Sequence, residues 1–169
     1  IKFTQENDIN SIGPIAPDTV FSKAAAGLYD IVVALATPMH EDETINYIEL
    51  RRQVNRMIQS GIHGLFCLGT NGEFYALNEE EKIQVLQTII EENAGRLPVY
   101  AGVGCITTRE TVRLAQKAQE CGADAVSVIT PFFGQVSQSE LINHYRSVAE
   151  SIDLPVILYN IPARTGNHI

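Results

Sequence analysis

The sequence predicts an α/β fold in which parallel strands alternate with helices. Five short apolar runs recur along the chain, and four segments of helical length lie between them. Polar and glycine-rich residues follow several of these runs. No Gly-x-Gly-x-x-Gly follows the first run, where the chain continues as Ala34–Pro38. These features favour a (β/α)₈ TIM barrel over an open doubly wound sheet, which is the alternative that the same pattern allows.

The apolar runs are the predicted strands, because they lack polar alternation, as strands covered on both faces do. They are Ile31–Ala36, Leu65–Leu68, Val99–Val103, Ala125–Ile129 and Val156–Tyr159. A barrel needs eight strands and about 250 residues, so the 169 residues supply about the first five strands and four helices. Open apolar edges promote aggregation. We therefore expect a longer protein, truncated here before strand 6, or a partner or N-terminal segment that covers the edges.

The four intervening segments carry helix-start signals of the capping-box kind, in which an Asn, Ser or Thr precedes a Glu by three positions. The pairs are Asn46 with Glu49, Asn78 with Glu81, Thr107 with Glu110, and Ser137 with Glu140. Glycines that can end a helix follow three of the segments, at Gly61, Gly95 and Gly122. These signals predict the helix boundaries, the first helix spanning about Tyr47–Ser60.

Residues 1–26 differ from the rest, because they mix polar residues with prolines and show no clean period. We interpret them as an irregular N-terminal extension and residues 27–169 as the N-terminal part of the barrel domain. The extension lacks the basic start and apolar core of a secretory signal, and acids such as Glu6 and Asp8 disfavour a transit peptide. The prediction is a cytoplasmic protein.

The composition is that of an ordinary globular protein, with 45% apolar and 19% charged residues. The net charge of −8 and the scattered basic residues argue against nucleic acid or an anionic membrane as a partner. The thiols of Cys67, Cys105 and Cys121 are odd in number and widely spaced, which indicates reduced cysteines. The four histidines share no metal-ligand spacing, so no metal site is predicted.

The candidate site lies in Gly64–Glu73, GLFCLGTNGE, where a buried strand gives way to a glycine-rich turn. Glycines allow a tight turn and the close approach of a ligand to the backbone. The hydroxyl of Thr70 and the amide of Asn71 stand beside exposed backbone N–H groups, a combination that suits a small carboxylate. A simple strand-to-helix connector would have the same composition, so that alternative stays open.

Gly64–Glu73 resembles the strand-2 signature of the pyruvate-dependent lyase family that includes dihydrodipicolinate synthase, N-acetylneuraminate lyase and several 2-keto-3-deoxy-acid aldolases. Thr130–Phe133 and Tyr159–Gly166 match two further motifs in the same order, and the similarity runs from about Gly27 to the last residue. The resemblance implies a Schiff-base-forming class I lyase and a homotetramer. It also implies that no metal or organic cofactor is needed.

The resemblance implies roles for individual residues. Tyr159 would shuttle protons beside the Schiff base, with its phenol oriented by the hydroxyl of Thr70. Thr70 and Asn71 would hold the carboxylate of pyruvate, and Arg164 would face the carboxylate of a second substrate. The residues alone favour a buried strand-end tyrosine for Tyr159 and an exposed loop arginine for Arg164, and the motif match reverses that preference. The family's Schiff-base lysine lies on strand 6, and none of the chain's lysines follows Tyr159.

Two residues depart from the synthase pattern. Asn71 stands where the synthase has a second threonine, and Phe133 stands where a tyrosine completes a proton relay across a subunit boundary. The expected function is that of 4-hydroxy-tetrahydrodipicolinate synthase in lysine biosynthesis, condensing pyruvate with aspartate semialdehyde, which Arg164 favours. Phe133, also expected at the substrate site, and Asn71 favour the alternative, an aldolase for 2-keto-3-deoxy sugar acids or 4-hydroxy-2-oxoglutarate. A catalytically silent chain without the lysine is the second alternative.

Overall fold

The computed structural model describes residues 31–169, and in this range strands alternate with helices as predicted. The strands are β1 (Val32–Ala34), β2 (Gly64–Cys67), β3 (Val99–Gly102), β4 (Ala125–Ile129) and β5 (Val156–Tyr159). The helices are α1 (Tyr47–Gln59), α2 (Glu79–Asn93), α3 (Thr108–Cys121), α4 (Gln138–Glu150) and the short α5 (Pro162–Thr165). The extension expected at residues 1–26 lies outside the described residues.

The five strands form one parallel sheet in which spatial order follows chain order, β1-β2-β3-β4-β5. Leu65 of β2, for example, pairs with Val33 on one side and Val99 on the other. Each crossover between neighbouring strands contains one of the helices α1–α4, as parallel strands require. Within residues 31–169, β1 and β5 are the outer strands, each paired on one side only.

The first strand is shorter than predicted. It ends at Ala34, although the N–H of Leu35 still donates to the carbonyl of Phe66 at 2.8 Å. Pro38 has no N–H to offer a sheet ladder, and the chain turns away before reaching it. The predicted boundaries of β4 and β5 agree with the structure.

All four predicted N-caps are present. The side chains of Asn46, Asn78, Thr107 and Ser137 each accept a hydrogen bond from the backbone N–H three residues on. At Asn78 and Ser137 the Glu side chain also reaches back to the cap N–H, which completes a reciprocal capping box. These local bonds define where α1, α2, α3 and α4 begin.

The three predicted stop glycines have positive φ angles, +76° at Gly61, +71° at Gly95 and +94° at Gly122. At the end of α2 the left-handed conformation begins one residue early, because Ala94 also has a positive φ of 47°. The side chain of Asn93 secures this end by donating to the carbonyl of Leu97 at 2.7 Å and accepting from its N–H at 3.1 Å.

The hydrophobic core lies between the sheet and the layer formed by α1–α4. Every residue of β3 and β4 is buried, as expected for strands covered on both faces. Among the largest fully buried side chains are Leu50, Val54, Leu65, Leu86, Ile89, Val99 and Val126. None of the helices within residues 31–169 combines the length and the apolar character that a membrane span requires.

Candidate active site

The turn after β2 has an unusual backbone. Leu68 is buried, yet its φ is 57°, and Glu73 at the other end of the turn has a φ of 51°. Between them Thr70–Gly72 form one tight helical turn. Left-handed conformations at non-glycine residues are costly and concentrate at functional sites. The hydroxyl of Thr37, after β1, donates to the carbonyl of Gly72 at 2.7 Å and ties the turn to the neighbouring strand.

Two glycines, one on β3 and one just after it, allow the backbones of neighbouring strands to approach closely beside this turn. A Cβ at Gly102 would overlap the carbonyl oxygen of Leu68, and a Cβ at Gly104 would lie 2.9 Å from the backbone nitrogen of Ile129. No side chain larger than hydrogen fits at either position without a shift. The glycines therefore allow the strand ends to approach closely.

Thr70 and Tyr159 meet at the carboxyl end of the sheet. The Thr70 hydroxyl lies 3.4 Å from the Tyr159 hydroxyl, a long hydrogen bond in which either oxygen can donate. Their strands, β2 and β5, are separated by β3 and β4. Strands lie about 4.8 Å apart, so a flat sheet would hold these two strands about 14 Å apart. The contact therefore shows that the sheet curls as a barrel wall does.

Aromatic rings pack together at the same end of the sheet. The half-buried ring of Tyr159 packs edge-on against Phe66 of β2, with ring centroids 6.4 Å apart. Phe74 and Phe132 make a similar contact at 5.8 Å. A small cavity at the strand ends is bordered by residues from β2, β3, β4 and β5, including Gly102 and Tyr159. The Tyr159 hydroxyl thus lies where apolar packing meets the open end of the sheet.

The other three predicted site residues lie in loops at the same end of the sheet, and no hydrogen bond joins their side chains to Thr70 or Tyr159. Asn71 is exposed next to Thr70, and Arg164 is exposed on α5. Within residues 31–169, neither side chain makes a hydrogen bond or an ion pair. Phe133, in the loop after β4, is 98% exposed and has a φ of 77°. The structure therefore brings together Thr70 and Tyr159 and leaves Asn71, Arg164 and Phe133 open to solvent.

Three buried polar residues that the sequence analysis missed lie beside these loops. Thr130 is fully buried at the end of β4, and Thr165 and Asn167 are 6% and 4% exposed after β5. Thr130 donates to the Thr165 hydroxyl at 2.7 Å. Nothing in the sequence shows that these side chains are buried, although all three lie in or beside the recognised motifs.

The cysteines are not equipped to act as nucleophiles. Burial raises the pKa of Cys67 to about 12 and also raises the pKa values of Cys105 and Cys121. The thiols are therefore protonated near neutral pH, and the thiolate is the reactive form. Within residues 31–169, no group of His, Cys, Asp and Glu side chains is arranged to hold a metal ion.

The two lysines among the described residues lie on the outer helices. The ammonium of Lys82 on α2 is 5.9 Å from the centre of the Phe74 ring. Lys117 on α3 pairs with Glu120 at 2.7 Å. Neither ammonium hydrogen-bonds to Tyr159 in the described part of the chain, so neither takes the place expected for a Schiff-base lysine.

The described part of the chain has a curled parallel sheet with helices outside it, as part of a (β/α)₈ barrel does. The candidate site lies at the carboxyl ends of the strands, the face at which such barrels carry their active sites. Residues 28–169 match the model of the dihydrodipicolinate synthetase family. The chain belongs to this family, which confirms the predicted resemblance.

Named relatives and solved structures agree. The chain is 44% identical over 135 residues to a 4-hydroxy-tetrahydrodipicolinate synthase of Methylococcus capsulatus, covering 80% of this chain and 46% of the relative. It is similar to the dihydrodipicolinate synthase of Acinetobacter baumannii complexed with pyruvate, with a TM-score of 0.81, 38% identity, and coverage of 82% of this chain and 48% of that one.

A second solved structure is YagE of Escherichia coli K12, also in complex with pyruvate, with a TM-score of 0.81 and 37% identity. The match covers 83% of this chain and 48% of YagE. The chain thus spans about half the length of the curated relatives and solved structures it matches. This agrees with the prediction that it supplies part of a barrel.

Proposed function

We propose that the protein is a Schiff-base-forming, pyruvate-dependent lyase that condenses pyruvate with aspartate semialdehyde, as 4-hydroxy-tetrahydrodipicolinate synthases do. The observation that carries the proposal is the 3.4 Å contact between the hydroxyls of Thr70 and Tyr159 at the carboxyl end of the sheet. A phenol is a poor acid by itself, with a pKa of about 10. A neighbouring hydroxyl can orient its proton and pass it on, which is what proton transfer beside a Schiff base needs.

The turn after β2 is suited to the carboxylate of pyruvate. Its internal hydrogen bonds run from Gly72 N–H to Gly69 O and from Glu73 N–H to Thr70 O. Within residues 31–169, the N–H groups of Thr70 and Asn71 donate no such bond, which leaves them able to face an anion. With the Thr70 hydroxyl and the exposed Asn71 amide, they would form a compact set of donors.

Arg164 would bind the carboxylate of aspartate semialdehyde. Its side chain is exposed on the turn after β5, the strand that ends in Tyr159. A guanidinium grips a carboxylate through two parallel charge-assisted bonds. It is also a local positive charge on a chain of net charge −8, which would favour an anionic substrate over a neutral one.

The Schiff-base lysine expected by resemblance follows β5, and no lysine of this chain does so. The test therefore uses the protein as expressed from its gene. Incubation with pyruvate and borohydride should add the mass of reduced pyruvate to the protein. Aspartate semialdehyde should then be consumed only when pyruvate is present. A protein that gains no mass would support the silent alternative and refute the proposal.

A second candidate function is cleavage of a 2-keto-3-deoxy sugar acid or of 4-hydroxy-2-oxoglutarate. Phe133 favours it, because a phenylalanine has no hydroxyl to complete the relay expected in the synthase, and Asn71 favours it as well. A wild-type protein that is trapped with pyruvate, ignores aspartate semialdehyde and releases pyruvate from one of these acids would establish the aldolase.

A homotetramer is part of the proposal. Phe133 is 98% exposed at the tip of its loop, and large apolar side chains so exposed are common at contacts between subunits. Sedimentation analysis of the protein should give four times the mass of one chain, and a monomer would contradict this part of the proposal.

A further inference from the structure

One side chain after β5 determines the shape of the loop between β4 and α4. The amide nitrogen of Asn167 donates to the carbonyls of Pro131 and Gly134 at 2.7 and 2.8 Å. Its amide oxygen accepts from the N–H of Val136 at 2.9 Å. Both amide protons and the oxygen are thus used on one loop, residues 131–136. The residue is 96% buried, at 4% exposure, so no solvent replaces these bonds if they are lost.

Asn167 is itself anchored to the strand that ends in Tyr159. The hydroxyl of Thr165 accepts from Thr130 at 2.7 Å and from the Asn167 N–H at 3.2 Å, and it donates to the Asn167 carbonyl at 3.1 Å. The N–H of Thr130 donates to the Tyr159 carbonyl at 3.3 Å. Continuous hydrogen bonds therefore connect the end of β5 to the loop after β4.

This connected unit carries two of the residues expected at the substrate site. Phe133 lies at the middle of the loop with a φ of 77°, a conformation that persists only when surrounding bonds impose it. Arg164 immediately precedes Thr165. The Thr70–Asn71 turn follows β2 and makes no hydrogen bond to residues 131–136, to Thr165 or to Asn167. Its one hydrogen bond to this unit in the described part of the chain is the 3.4 Å contact between the hydroxyls of Thr70 and Tyr159. Asn167 therefore holds the side of the site proposed to face the second substrate, and not the side proposed to bind pyruvate.

We infer that Asn167 is a positioning residue that sets the affinity for the second substrate. This inference rests on the proposed function. Asn167→Ala frees the loop and should raise the apparent KM for aspartate semialdehyde by about 10- to 100-fold, the usual effect of misplacing a substrate-binding group. If the wild-type enzyme cleaves 4-hydroxy-2-oxoglutarate instead, the KM for that acid is measured. The KM for pyruvate and the fraction trapped by borohydride should stay at the wild-type level.

Thr165→Val is the second variant, because it keeps the side-chain shape and removes only the hydroxyl that links Thr130 to Asn167. It should change the same KM in the same direction without altering the fold. Asn93→Ala is the matched control. Asn93 is 3% exposed and makes two side-chain hydrogen bonds to Leu97, but it lies at the opposite end of the sheet, before β3. It should lower the unfolding midpoint and leave both Michaelis constants unchanged.

A wild-type protein that pyruvate and borohydride do not modify would refute the proposed function, and this inference with it. If the wild type is trapped, the inference stands or falls by itself. A selective rise in the KM of the second substrate, in both variants and not in the control, supports it. An unchanged KM, or an equal rise for pyruvate and the second substrate, overturns it and leaves Asn167 a merely structural residue.

Discussion

Replacing Tyr159 with phenylalanine should separate catalysis from folding. The substitution removes one hydroxyl and keeps the ring that packs against Phe66 at 6.4 Å. The bond lost to Thr70 is 3.4 Å long, well beyond the usual distance between hydroxyl oxygens, so it stabilises the fold by only about 0.5 kcal/mol. Loss of a proton shuttle lowers kcat by about 10²-fold, equivalent to about 2.7 kcal/mol of transition-state stabilisation. The catalytic effect should therefore far exceed the effect on stability.

A double-mutant cycle with Thr70→Val tests whether the two hydroxyls act as one unit. Steady-state kcat is measured for both single variants and for the pair, beside urea unfolding of each. If the hydroxyls form one relay, the double variant should be about as slow as the slower single variant, because the second change has nothing left to remove.

Tyr145→Phe is the matched control for this cycle. The Tyr145 hydroxyl is buried and also bonds at 3.4 Å, to the carbonyl of Val128, so the control loses a similar bond and should keep full activity. Multiplying effects in the double variant would show that Thr70 and Tyr159 act independently. Near-wild-type turnover of Tyr159→Phe would place the proton shuttle elsewhere.

Substitutions at Arg164, Gly102 and His144 test three other features of the structure. Arg164→Ala should raise the KM for aspartate semialdehyde by about 10- to 100-fold in initial-rate assays, because a bidentate contact to that substrate is lost. The KM for pyruvate should change little, and an equal rise in both constants would contradict this role. Gly102→Ala should lower the free energy of unfolding, measured in urea, by about 1–3 kcal/mol, because the added methyl overlaps a backbone carbonyl. Gly134→Ala is the control and should leave it unchanged, because no atom lies within 4 Å of its added methyl. Burial lowers the pKa of His144, so the unfolded chain binds that proton at a higher pH than the folded chain, and stability should fall as the pH drops below about 6.5. His144→Gln should flatten that slope, and an unchanged slope would show that other groups cause it.

The helices and strands could be predicted because their signals are local. A cap such as Asn78 and its partner Glu81 are three residues apart, so the pattern and the bond it forms are visible together. The buried strands can be predicted in the same way, because each is an uninterrupted apolar run. The early end of β1 was not foreseen, because it depends on how the chain turns before Pro38.

The site could be predicted only in part, because its contacts join distant residues. Thr70 and Tyr159 are separated by 89 positions, and they meet only because the sheet curls. The predicted barrel and the resemblance together implied that the two residues meet, but neither the residue types nor their spacing gives the distance between the two hydroxyls. Asn167 was missed for the same reason, since an asparagine in a loop motif shows its role only when Pro131 and Val136 are seen beside it.

The sequential order of the strands has a consequence for how the chain acquires its fold. Paired residues in neighbouring strands are 25 to 34 positions apart in the sequence. Tyr100 and Ala125 are the least separated, and Leu65 and Val99 are the most separated. The entropic free-energy cost of closing loops of these lengths differs by only about 0.3 kcal/mol. No strand pairing is therefore much harder to form than the others. Each strand–helix unit can dock on the unit made just before it, and a nascent chain can therefore add units as it leaves the ribosome. Each docking step covers one edge of the sheet and exposes the next.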